Sequence, residues 1–108
     1  MTPEEVRALV LRLPEVVETD HHGRRAFLLA EGGQLATQWS ETELNVLLDE
    51  SAARAAEGGP GTLLWWGKTL SGVRVDLTTA PPELVEELLE EARARRAPAR
   101  LRRERESS

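Results

Sequence analysis

A chain of 108 residues and 12.0 kDa, 40% hydrophobic and 31% charged, has room for one folded core and not for two. It holds no cysteine, which excludes a disulfide framework, a thiolate nucleophile and a cysteine zinc site. The net charge of −5 divides unevenly: residues 1–92 carry seven basic and seventeen acidic side chains, and residues 93–108 carry seven and two. An acidic body of −10 is therefore followed by a basic end of +5.

Uninterrupted hydrophobic runs reach five residues, in Ala26–Ala30, far below the roughly twenty of a membrane-spanning helix. The opening Met-Thr-Pro-Glu-Glu is acidic where a signal peptide is basic and then apolar, so a cytoplasmic protein is expected. Thirteen Arg to one Lys, with abundant Ala, suggests a GC-rich bacterial genome.

Thr2-Pro3-Glu4-Glu5 reads as a helix start, with Thr2 as N-cap, Pro3 at N1 and Glu5 closing a capping box. Val6, Leu9, Val10 and Leu13 follow at i, i+3, i+4, i+7 and lay one apolar stripe on a core, and Pro14 ends the helix. An extended stretch near Val17–His21 leads to Gly23. Ala26–Ala30 reads as a strand, Glu31-Gly32-Gly33 as a hairpin turn and Gln34–Trp39 as the partner strand. Strict alternation places Leu35, Thr37 and Trp39 on one face of that partner, where Trp39 is expected in the core.

Leu44–Leu48 is a further strand with Asn45 as its weak point, and Asp49 caps a short helix over Glu50–Glu57. Gly58-Gly59-Pro60-Gly61 is a loop. Thr62–Trp66 and Gly72–Leu77 read as extended runs on either side of Gly67–Ser71. Val73, Val75 and Leu77 alternate with Arg74 and Asp76, as in a half-buried antiparallel strand. Pro81-Pro82 opens the last helix, with Leu84, Val85, Leu88, Leu89 and Ala92 as its apolar face and Pro98 as its stop. The order is helix, three or four strands, helix, two strands, helix. It predicts a two-layer α+β domain over residues 1–98, an antiparallel sheet with helices on one face, followed by a basic, flexible tail over residues 99–108.

The opening helix ending in Leu13-Pro14, then His22-Gly23 and Ala26-Phe27, resembles the start of the MmcQ/YjbR family. Gly33-Gln34-Leu35-Ala36-Thr37, Leu44–Asp49, Trp66-Gly67-Lys68 with Gly72-Val73-Arg74-Val75, and the Glu-rich last helix before Ala97-Pro98 are similar to later segments of that family. The resemblance covers the chain up to about Leu101 and rests on the ordered set of segments. It implies a small α+β domain similar in layout to secretion chaperones, with no catalytic residue and no cofactor. The family is described as DNA-binding by analogy of its hairpins to the wings of a double-wing reader. Gln34 stands where the family often has Lys or Arg, which removes one charge from that wing.

Three features compete for a functional role. Asp20-His21-His22 is the single histidine cluster, but neighbours on an extended segment point to opposite faces, so His22 reads as ordering the Gly23 turn rather than holding a metal. In Trp65-Trp66-Gly67-Lys68 the simpler reading puts one Trp in the core and the other over a hairpin edge. In the functional reading an outward Trp stacks on a base or peptide side chain while Lys68 and Arg74 meet phosphate or carboxylate. His22, Arg24, Arg25, Trp66, Lys68 and Arg74 make one nucleic-acid or partner patch if the hairpins lie side by side.

Glu83, Glu86, Glu87, Glu90 and Glu91 read as a solvated helix face, with Glu91 supporting Arg95 at i+4. The arginine-rich end is a nucleic-acid arm, a solubilising tail, or a segment that docks on the acidic body. The expected function is thus a non-enzymatic MmcQ/YjbR-type domain that binds DNA weakly and in a salt-sensitive way. The alternative is a protein- or peptide-interaction module, homodimeric through its sheet. Neither reading involves a membrane.

Overall fold

The computed structural model describes residues 1–31 and 33–96. In chain order these form α1 (Pro3–Val10), β1 (Val16–His21), β2 (Arg24–Leu29), β3 (Gln34–Gln38) and β4 (Glu43–Leu47). Then come α2 (Glu50–Ala56), β5 (Gly61–Trp66), β6 (Thr69–Asp76) and α3 (Pro82–Arg96). The six strands make one antiparallel sheet in the order β1-β2-β3-β4-β6-β5. The fold is α+β, with four strands ahead of α2. The β5–β6 hairpin inserts β6 beside β4, so β1 and β5 are the two edges.

The capping box forms. Glu5 N–H donates to Thr2 Oγ1 at 3.2 Å, and Thr2 N–H donates to Glu5 Oε1 at 3.0 Å. That second bond, with the Thr2 hydroxyl behind it, lowers the pKa of Glu5. Substituting Thr2 by Ala is expected to destabilise the fold by about 1 kcal/mol, read as a shift in the urea midpoint at unchanged m.

All three helices contribute to one core. Val6, Leu9 and Val10 of α1, Ala53 of α2, and Val85, Leu88, Leu89 and Ala92 of α3 meet Phe27, Ala36, Leu44, Val46, Val73 and Val75 of the sheet. Each fully buried Val, Leu or Phe contributes roughly 1.5–3 kcal/mol relative to exposure, so this layer dominates stability. The opposite face of the sheet carries no helix. Asn45, Leu47, Gly72, Arg74, Thr62 and Leu64 lie on it by register and alternation.

Two irregularities depart from strict alternation. Phe27 pairs with Ala36 but Leu28 with Gln34, which makes Leu35 the extra residue of a β-bulge. Leu35 thereby enters the helix-side core, whereas Thr37 and Trp39 keep the other face. On β6, Ser71 is the extra residue, because Leu64 pairs with Gly72 and Trp65 with Leu70. The hairpin is also tighter than expected: β6 begins at Thr69, and Gly67-Lys68 alone make the turn.

At the other end of the chain, Arg93, Arg95 and Arg96 belong to α3 and not to a tail. Arg93 is buried, and its Nε donates to the Pro14 carbonyl at 2.9 Å. All five glutamates of the α3 run are exposed. The i, i+4 ion pair that forms among the described residues is Glu50–Arg54 on α2, at 3.1 Å, and not Glu91–Arg95. The expected Pro98 stop and the arginine-rich tail lie outside the described residues. No described helix is long and apolar enough to cross a membrane.

Candidate binding face on the helix-free side of the sheet

The β1–β2 turn sets one rim of this face. His21 pairs with Arg24, leaving His22 (φ 54°) and Gly23 (φ 79°) as the two turn residues. Two positive φ angles in a two-residue loop define a type I′ turn, whose twist suits a hairpin. Gly23 N–H donates to Asp20 Oδ1 at 2.8 Å and secures it. The His21 and His22 rings pack edge to face with centroids 4.4 Å apart. Among the described residues no three His, Asp or Glu side chains gather in a way that could hold a metal ion.

Trp39 forms the centre. The Arg24 guanidinium lies 3.9 Å and the Arg74 guanidinium 4.5 Å from its ring centroid. Arg24 stands directly opposite Trp39 in the register of β2 and β3, and Arg74 lies in the row running through Thr37 and Asn45. Each guanidinium is fixed by one bond through Nε: Arg24 to the Trp39 carbonyl at 3.2 Å, Arg74 to Asn45 Oδ1 at 2.8 Å. Among the described residues neither forms an ion pair, and Arg74 also lines a hollow with Glu43 and Asp76. Trp39 itself is 37% exposed. The core position expected for it is incorrect, because the face it shares with Thr37 is the one without helices.

Beside this stack lies a cavity of about 440 Å³ lined by His21, His22, Arg24, Gln34, Thr37, Trp39, Asn45 and Trp66. Its floor is polar: Thr37 and Asn45 are 8% and 4% exposed. Gln34 Nε2 donates to Thr37 Oγ1 at 2.5 Å, which leaves the Thr37 hydroxyl proton and Gln34 Oε1 open. With Asn45 Oδ1 taken by Arg74, the Asn45 amide is left as a donor. The floor therefore offers two donors and an acceptor in one place.

Of the six residues expected to form one patch, His22, Arg24 and Trp66 line this cavity, and Arg74 joins them through Trp39. Arg25 does not belong. It follows Arg24 on a strand, so it points to the helix side, where its Nε meets Glu18 Oε1 at 3.0 Å. Arg7 of α1 reaches the same oxygen at 2.9 Å. Lys68 is exposed in the β5–β6 turn, outside the cavity lining. Trp65 and Trp66 are 47% and 56% exposed, so neither fills the core. Sequence reasoning missed Trp39 and Asn45 as site residues. The polar interruption at Asn45 was the available signal.

The far end of the same face is acidic. Glu43 pairs with Asp76, and the two border a second hollow with Thr42, Pro60, Thr62, Arg74 and Thr78. The Thr78 hydroxyl (2.6 Å) and amide (2.9 Å) both donate to Asp76 Oδ1 and lower its pKa. A carboxylate held below its ordinary value stabilises the fold above that value, and the contribution is lost as pH falls through the lowered one. Glu5 acts in the same sense. Thr78→Val is therefore expected to lower stability at neutral pH and to flatten its loss below about pH 4, where the two chains converge, in urea titrations at stepped pH.

Comparison of the chain with family models, with curated proteins and with solved structures returned no match.

Proposed function

We propose that this chain is a non-enzymatic domain of the MmcQ/YjbR type that binds nucleic acid through the helix-free face of its sheet. The observation that carries the reading is the Arg24–Trp39–Arg74 stack, two guanidinium groups held on one indole and, among the described residues, outside any ion pair. Guanidinium forks suit phosphate, and the neighbouring exposed indole of Trp66 suits the π-face of a base. Glu43 and Asp76 stand beside Arg74 on the same face, but most of the body's negative charge does not oppose this reading. Much of it, including the five α3 glutamates, lies on the helix side, and an acidic surface distant by more than about 10 Å is largely screened at 0.1 M salt.

Binding of a fluorescent DNA across salt tests the proposal, with the full chain and a version ending at Ala97. Two phosphate contacts from Arg24 and Arg74 predict a shallow slope of log K on log salt, about −1.5 to −2, in both versions. No binding at low salt rejects the reading. Binding by the full chain alone assigns the effect to the basic tail.

The second reading, a peptide- or protein-interaction module that pairs with itself, draws support from a different place. β5 is an edge strand that ends in two half-exposed tryptophans. It predicts a dimer in sedimentation that Trp65→Ser converts to monomer. A monomer at all concentrations rejects self-pairing.

A further inference from the structure

The cavity is narrower in what it fits than the general reading requires. Duplex DNA offers base edges inside its grooves and is read by an element that protrudes into them, a helix or a two-stranded ribbon. Here the polar groups lie at the floor of a recess whose lining includes Trp39 and Trp66. At about 440 Å³ it falls within the roughly 300–1,000 Å³ of small-ligand sites. A flat ring entering it meets the Trp66 indole and, among the polar lining, the Asn45 amide, the Thr37 hydroxyl and Gln34 Oε1. The guanidinium of Arg24 stands at the rim, and that of Arg74 across Trp39, where a phosphate attached to that ring would lie.

We infer that the site takes one unpaired nucleobase, stacked at Trp66, with its phosphate held by Arg24 and Arg74 where they flank Trp39. This rests on the nucleic-acid reading above and sharpens it, since it sets single-stranded nucleic acid above duplex. The same chemistry is present in a free nucleotide, so the test must separate the two sources.

The experiment uses the full chain and three probes: an oligo-dA strand of about ten nucleotides, its duplex with oligo-dT, and adenosine monophosphate. Intrinsic tryptophan fluorescence and anisotropy report binding. The strand is expected to quench the fluorescence and to bind at least about tenfold tighter than the duplex. Loss of one stacked base in Trp66→Ala is expected to weaken the strand by about tenfold or more and to leave the duplex unchanged.

Quenching by the monophosphate with no binding of the strand assigns the site to free nucleotides and ends the nucleic-acid reading. Tight duplex binding with no strand binding overturns the inference and leaves the broader reading standing. Strand binding that Trp66→Ala does not weaken also overturns it. No binding by any probe removes both.

Discussion

A Gly72→Ala chain is expected to lose about 3 kcal/mol or more of stability, a large share of the roughly 5–15 kcal/mol that holds a domain of this kind together. A Cβ at this position would lie 2.0 Å from the Val46 carbonyl oxygen and 2.9 Å from Leu47 Cα, both main-chain atoms of β4. No side-chain rotation relieves that contact. Either β6 moves away from β4 or the ladder between them opens, and both strands carry core residues on their other face. A second substitution shows that the effect belongs to this position. Gly67 has a positive φ but open space around it, so Gly67→Ala is expected to lose only about 1–2 kcal/mol through its left-handed backbone. Urea titration of the two variants checks both values, and equal losses would contradict the account.

Replacing Arg24 and Arg74 together by Ala is expected to reduce nucleic-acid affinity at low salt by about a hundredfold. Charge-assisted hydrogen bonds contribute roughly 1.5–3 kcal/mol each, and 1.4 kcal/mol is a factor of ten. The slope of log K on log salt should fall towards zero at the same time, because the two phosphate contacts are gone. The Arg24→Lys, Arg74→Lys pair separates charge from planarity. Lysine retains the counterion-release slope but not the stacked fork, so affinity falls while the slope persists. Circular dichroism confirms that the variants fold, as expected for one exposed and one half-buried side chain outside the core. If the alanine pair binds as the parent does, the helix-free face is not the site.

The order of elements was legible in the sequence because its signals are local. Thr2-Pro3-Glu4-Glu5, Asp49 before Glu50, the His22-Gly23 turn and the alternation of Val73, Arg74 and Val75 each depend on neighbours a few residues away. Two features were hidden because they depend on pairing across strands. The bulge at Leu35 reverses its face relative to Thr37 and Trp39, and nothing in Gly33-Gln34-Leu35-Ala36 marks it. Trp39 looked like core because strict alternation put it on the face of Leu35 and Thr37, and the bulge breaks that alternation at Leu35. The Trp39 neighbours Arg24 and Arg74 come from β2 and β6 and meet it through the sheet. Of the six-residue patch, His22, Arg24 and Trp66 share one cavity lining, whereas Arg25, one step along β2, turns to the helix side and Lys68 lies outside the lining in the β5–β6 turn. The split of the charge into acidic body and basic end also shifts, since Arg93 is a buried structural residue of α3.

The account stands on the claim that the helix-free face, and not the helix side or the basic end, meets nucleic acid. Nitrogen–proton correlation spectra of the full chain, recorded as a short single strand is added, test it most directly. The indole N–H signals of Trp39 and Trp66, the Nε–H signals of Arg24 and Arg74 and the side-chain amide of Asn45 are expected to move together and to saturate at one strand per chain. Shifts confined to α2, α3 or the residues beyond Arg96, with those five groups unmoved, would contradict it.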